Sequence, residues 1–235
     1  MIILFFVFGL VFGSFYNVIV YRLPKGMSLV KPGSHCPHCG HQLTSLELVP
    51  VLSFLLQNGR CKVCKSKISW RYPVVELVTG LGFALVAWQS ILWRDYLVGL
   101  VFFSLLFILA LIDLEHKLLP DILTLPGIVI GLLFSLFGWT LSFWSSVLGA
   151  VVGFGLLFAI ALISKGGMGM GDVKLMALIG SFLGWKAVLY VLFGGALFGS
   201  VGGLLYLYIT KQGRKTPIPF GPSLALAAFL YFLIA

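Results

Sequence analysis

Apolar runs long enough to cross a lipid bilayer follow one another along this chain of 235 residues, at about 1–21, 72–92, 96–112, 118–138, 143–163, 186–209 and 217–235. A crossing takes about 20 apolar residues as helix, the form in which a lone spanning segment satisfies its own backbone hydrogen bonds. A further apolar stretch, 172–184, is too short to cross upright and is expected to begin below the membrane surface, in a polar cavity. With it the count is eight spans. Only 10% of the residues are charged and 60% are hydrophobic, whereas soluble domains carry about 25% charged residues. The sequence therefore predicts an all-α polytopic membrane protein, a bundle of about eight transmembrane helices. The first run has no basic residue before Arg22 and no small-residue cleavage site, so it is expected to stay as a helix and not to be removed as a signal peptide.

The net charge of +9 is not a nucleic-acid footprint, because the basic residues alternate between loops. Segments 22–71, 113–117, 164–174 and 211–216 hold 8, 1, 2 and 3 of the 16 Lys and Arg residues, and the other loops hold only Arg94 and Lys186. The excess of Lys and Arg on cytoplasmic loops thus puts residues 22–71 in the cytoplasm and both termini outside. Membrane lipid is the expected partner, and no nucleic acid is. Glycines spaced to share a helix face (Gly9 and Gly13; Gly149 and Gly153; Gly195, Gly199 and Gly203) mark places where helix backbones can approach closely in lipid.

Residues 22–71 form the only long polar segment and hold all four cysteines, as Cys36-Pro37-His38-Cys39 and Cys61-Lys62-Val63-Cys64. Two such knuckles separated by 21 residues suit one zinc ion with four thiolate ligands. A cytosolic location argues against structural disulfides, and no strand–helix–strand pattern surrounds either motif to suggest a redox site. His35, His38 and His41 crowd the first knuckle and are read as solvent-facing, since four cysteines already complete the sphere. The zinc is expected to be structural, because about 50 polar residues bury too little apolar surface to fold securely alone.

Two carboxylates stand out from this pattern. Asp113 closes the third span and Asp172 opens the sixth, and acidic residues at membrane depth default to a functional reading. Two spans lie between them, so the chain returns to the same face and both carboxylates are cytoplasmic, although 59 positions apart. A pair sharing one proton can activate water and protonate a leaving amine. In Gly169-Met170-Gly171-Asp172 the two glycines permit positive φ and close approach of an extended peptide. Taken singly, Asp172 also reads as a helix N-cap and Asp113 as an interfacial residue of the turn to Lys117. Asp121, after Pro120, reads as the first turn of span four, and Glu115 and Lys117 read as residues at the headgroup level.

Gly13-Ser14-Phe15-Tyr16-Asn17-Val18 and Tyr21-Arg22-Leu23-Pro24, the two knuckles, Arg71-Tyr72-Pro73-Val74-Val75-Glu76, Ile112-Asp113 through Leu119-Pro120-Asp121, and Gly169-Met170-Gly171-Asp172-Val173-Lys174 occur in that order. In these segments the chain resembles the type IV prepilin peptidases, bacterial membrane aspartic proteases of the Gly-x-Gly-Asp class, over almost its full length. Tyr16 stands where that family often has leucine. The resemblance implies that Asp113 and Asp172 are the catalytic dyad, with Gly169 and Gly171 in the loop supporting it. It implies cleavage of a basic leader from prepilins or type II secretion pseudopilins, usually between glycine and phenylalanine; Glu115 and Asp121 are the nearest acidic candidates to attract that leader, with anionic lipid headgroups as the competing explanation. It implies N-methylation of the new N-terminus with S-adenosylmethionine, although the insertion shows no donor-binding motif. It also implies a bacterial cytoplasmic (inner) membrane location. The chain then divides into a first transmembrane helix (1–21), a four-cysteine zinc-binding insertion (22–71) and a transmembrane aspartic protease core (72–235). Two other classes compete: a membrane assembly scaffold docking through the zinc module, and a proton-coupled transporter using the two aspartates. The transporter reading calls for inverted repeats with matching broken helices, and the sequence shows no such symmetry.

Overall fold

The computed structural model describes residues 2–164, 168–210 and 219–234. These form helices α1 (Ile2–Arg22), α2 (Leu52–Leu56), α3 (Arg71–Gln89), α4 (Trp93–His116), α5 (Asp121–Leu136), α6 (Phe143–Ile163), α7 (Met170–Thr210) and α8 (Gly221–Ile234). By length and composition α1, α3, α4, α6 and α7 can each cross a membrane, and α5 and α8 are shorter apolar helices. Helix α7 breaks at Gly184, where φ is 77° and ψ is 174°. The two halves correspond to the short stretch 172–184 and the span after it, which brings the apolar helical segments of ten residues or more to eight among the described residues. Glycine is required at the break. Its left-handed φ is costly for other residues, and a Cβ there would stand 2.7 Å from both Leu141 Cδ1 and Ser145 Oγ.

Two boundaries differ from the apolar pattern near the first aspartate. Helix α4 runs to His116, one turn past the apolar residues, and ends where Lys117 turns left-handed (φ 53°) and donates its N–H to Asp113 O at 2.9 Å. Helix α5 waits until Asp121 because Pro120 is extended (φ −66°, ψ 132°) and disfavours helical geometry in the residue before it.

By internal contacts the chain forms two compact units, Met1–Ser90 and Ile91–Ala235. In the first, α1 lies against α3 through small residues: a Cβ on Gly9 would be 2.7 Å from Gly80 Cα, and one on Gly13 would be 2.7 Å from Glu76 Cα. The polar insertion is wired to both helices. Buried Arg22 donates to Ser28 O (3.0 Å) and Pro32 O (2.7 Å). Val51 donates its N–H to the buried Glu76 carboxylate at 2.8 Å. Arg22 is thus an organiser of the first loop as well as a basic residue in the topology pattern.

In the second unit α7 is buried on all sides from Leu175 to Phe182, with Leu175, Met176, Leu178 and Ile179 fully enclosed. A helix apolar all round belongs at the centre of its bundle. Packing there is by close approach: Gly149 of α6 abuts Gly180 of α7, and Gly153 abuts Met176 O. The second half of α7 lies against α8 and the residue before it, with Gly195 facing Leu224 and Gly199 facing Phe220. Both members of the first two predicted glycine groups, and Gly195 and Gly199 of the third, therefore supply close contacts.

Candidate active site and metal cluster

Within the second unit, the aspartates come together at helix ends. Asp113 lies in the last turn of α4 and is buried. Asp172 is the third residue of α7, which starts at Met170, so it sits inside the first turn and not at the cap. Its N–H donates to Gly169 O at 3.1 Å. Helices α5 and α6 lie between the two in sequence, yet the carboxylates are within electrostatic reach of each other. Asp172 also lies at the positive end of the α7 dipole, a favourable place for a carboxylate.

The glycines before Asp172 serve differently from the expectation. Neither Gly169 nor Gly171 has a positive φ. What Gly171 supplies is room: a Cβ on it would be 2.8 Å from Leu119 Cβ, so the α4–α5 link packs directly on the start of α7. Asp121 is also engaged. Its carboxylate takes Lys174 Nζ at 2.7 and 2.8 Å, which ties the first turn of α5 to the first turns of α7. Asp121 is thus already ion-paired, and Lys174, counted above among the topology residues, is its partner.

A third element reaches the dyad. Gly221, the first residue of α8, donates its N–H to Asp113 Oδ2 at 3.0 Å across 108 positions. The available sequence signal was a glycine beside a proline at the head of an apolar run, since glycine is a poor helix former unless something needs its missing side chain.

In the first unit, the four cysteine sulfurs lie within 4.8 Å of one another and can serve one metal ion. All four are free thiols. The knuckles repeat one local fold. Cys36 donates its N–H to His41 O and receives that of Gly40 on its carbonyl; Cys61 does the same with Ser66 and Lys65, all four bonds being 2.9–3.0 Å. The fourth residue after each leading cysteine is left-handed, Gly40 at 71° and Lys65 at 59°. Backbone hydrogen bonds from Cys39 and His38 hold the Cys36 thiol down at about 6. Cys39 goes up to about 11: a backbone bond from His41 opposes the rise, but burial and the neighbouring Cys64, Cys36 and Cys61 outweigh it. Such mutual opposition is what a cation among the sulfurs relieves.

His35 and His38 are exposed, as expected. His41 is not simply solvent-facing, because its Nε2 lies 3.2 Å from Glu47 Oε2. Glu47 also accepts the Thr44 N–H at 3.0 Å and the Thr44 hydroxyl at 2.8 Å. With the backbone bond from Thr44 foremost, these partners hold its carboxyl at about 2. Segment 211–216, read as cytoplasmic, lies outside the described residues, as does Lys165.

The comparisons with known proteins follow this division of the chain. Residues 7–90 match the bacterial peptidase A24 N-terminal domain, and residues 100–204 match the type IV leader peptidase family. The chain is 39% identical to a prepilin leader peptidase/N-methyltransferase of Aeromonas hydrophila, over 97% of this chain and 89% of that one. Its likeness to the protein of that name from Bacillus subtilis is 38% over 99% and 94%, and to that from Neisseria gonorrhoeae 36% over 96% and 88%. No solved structure matches. The chain is a multi-pass membrane protein that belongs to the type IV leader peptidase family.

Proposed function

We propose that this protein removes the basic leader from type IV prepilins or type II secretion pseudopilins by aspartic endopeptidase chemistry, and then N-methylates the exposed N-terminus. The observation that carries this reading is the meeting of Asp113 and Asp172, from the end of α4 and the start of α7, in a chain of this family. One carboxylate, ionised, takes a proton from water as the oxygen attacks the scissile carbonyl. The other, protonated, gives its proton to the departing amine. The pair starts with one shared proton and ends with one, because like charges at close range resist ionising together. Which aspartate holds the proton is a property of the coupled pair. Gly169 and Gly171 support the loop, the first through the backbone of Asp172 and the second by admitting Leu119.

The division of labour runs along the chain: an anchoring helix (1–21), a metal-binding insertion (22–71) and a catalytic core (72–235), with the insertion and both carboxylates on the cytoplasmic side. Zinc is the metal that fits the cysteines. Thiolates about 2.3 Å from one zinc stand about 3.8 Å apart in a tetrahedron, and Cys36–Cys64 and Cys39–Cys61 are 3.8 and 4.0 Å apart. Cys36, Cys39, Cys61 and Cys64 would hold it as a structural ion. The methyl donor is S-adenosylmethionine, which supplies a methyl group to the free amine that cleavage creates; this second activity rests on the relatives' names. Family membership disfavours the scaffold and transporter readings.

Purified protein, a synthetic prepilin peptide and S-adenosylmethionine labelled on its methyl group test the proposal. Mass spectrometry should find the leader released and the label on the new N-terminus. A well-folded preparation that leaves the peptide whole would overturn the reading.

A further inference from the structure

The start of α8 accounts for its backbone donors in an unusual way. The first turn of a helix has N–H groups without intrahelical partners, and buried ones must bond elsewhere. Here Pro222 has no N–H, and Ser223 and Leu224 both donate back to Phe220 O, at 3.1 and 3.2 Å. Gly221 is the remaining donor of that turn, and its N–H goes to Asp113 Oδ2 at 3.0 Å, a bond that is itself buried. A side chain at this position has no room: a Cβ would stand 2.7 Å from the same Oδ2 and 3.3 Å from the carboxyl carbon. Phe-Gly-Pro thus has a physical meaning in which the glycine gives access and the proline removes a competing donor.

The register is set along the helix pair. Phe103 of α4 meets Phe229 of α8 with ring centroids 4.8 Å apart, and Phe102 meets Phe232 at 5.7 Å. As α4 advances toward Asp113, its contacts move back along α8 toward Gly221, so the two run antiparallel and the aromatic pairs bring the first residue of α8 to the carboxylate.

We infer that Gly221 is the positioning residue of Asp113, its amide fixing the carboxylate's rotamer and deciding which edge can hold a proton. The inference rests on Asp113 being one of the catalytic pair. An amide N–H can only donate, so the Asp113 oxygen that accepts it carries no proton toward Gly221. The bond stabilises Oδ2 as the bare acceptor and so favours the shared proton on the other Asp113 oxygen or on Asp172, where a water and a leaving amine can use it.

The full-length protein in detergent provides the test. Gly221→Ala pushes on Oδ2 and should lower kcat for leader cleavage by about 10²-fold, the scale of a misplacement of about 1 Å at a reacting group, with KM unchanged. The hydrogen bond is read directly by NMR on protein labelled with carbonyl-13C Phe and 15N Gly. Such labelling reports glycines that follow phenylalanine, Gly221 and Gly199 among them. Asp113→Asn should move the Gly221 amide proton upfield and leave the Gly199 signal in place. An unmoved Gly221 signal, or a Gly221→Ala protein with wild-type kcat, overturns the inference while a cleavage-dead Asp113→Asn leaves the dyad standing. If Asp113→Asn still cleaves, the dyad reading itself has failed. If Gly221→Ala does not fold, the NMR comparison of wild type with Asp113→Asn decides alone.

Discussion

Each pair of cysteines comes from a single tight turn, whereas the two aspartates come from helix ends 59 positions apart, and Asp113 takes a third partner 108 positions away. The cysteine cluster is closed by short-range hydrogen bonds that repeat from one knuckle to the other. The carboxylate site exists only because α4, α5, α7 and α8 pack closely, with glycines at the tightest approaches. The first can be read from spacing, and its four sulfurs can serve one metal ion. The second can be loosened from a distance without touching an acidic residue.

The largest effect separating the two should come from the carboxylates. Asp113→Asn or Asp172→Asn should lower leader cleavage by about 10⁴-fold or more, the scale of disabling a member of a proton-transfer unit. Metal content and methyl transfer to an already cleaved peptide should stay at wild-type levels, since that chemistry needs neither carboxylate. Loss of bound metal in either variant would show that the two regions are not independent.

Metal removal should have the opposite profile. Elemental analysis should find about one zinc per chain, the content of a single four-thiolate site, and none after Cys61→Ser. Limited proteolysis should then cut between residues 25 and 70 far faster, while cleavage of a prepilin peptide by the surviving full-length chain falls less than methyl transfer does. A metal-free insertion that resists protease as well as the loaded one would break the comparison at its simpler end.

Packing along α7, away from its first turn, comes next. Gly149→Val places atoms against Gly180 in the core of the second unit, and overpacking of this kind costs about 1–3 kcal/mol. Thermal unfolding in detergent should shift down and leader cleavage with it, with zinc content unchanged. The smallest effect belongs to the half-exposed Lys174–Asp121 pair, where Lys174→Ala should cost no more than about 1 kcal/mol.

These contrasts also explain what was legible beforehand. Apolar run length revealed the spans, and counting them gave a reason to look at two distant aspartates together. Cysteine spacing revealed the cluster because its geometry is local. Even the break in α7 was visible, as a stretch too short to cross before Gly184. The bond from Gly221 to Asp113 was not, because a backbone donor leaves no residue-type signature and no spacing links the partners. Lys174 was hidden for a related reason: a lysine counted for topology looks the same whether it faces water or Asp121. The glycines before Asp172 were noticed, but Gly171 makes room for Leu119 of the same chain, a neighbour that only tertiary packing reveals.

The central claim is that Asp113 and Asp172 work as one unit, and a comparison of single and double variants tests it most directly. Residual leader cleavage would be measured for Asp113→Asn, Asp172→Asn and the doubly substituted protein, each confirmed as folded by its bound metal and unfolding temperature. Residues that share one proton lose their function together, so the double variant should be little slower than either single one, as strongly non-additive catalytic groups behave. Losses that multiply, or substantial cleavage by a folded Asp172→Asn protein, would contradict the account.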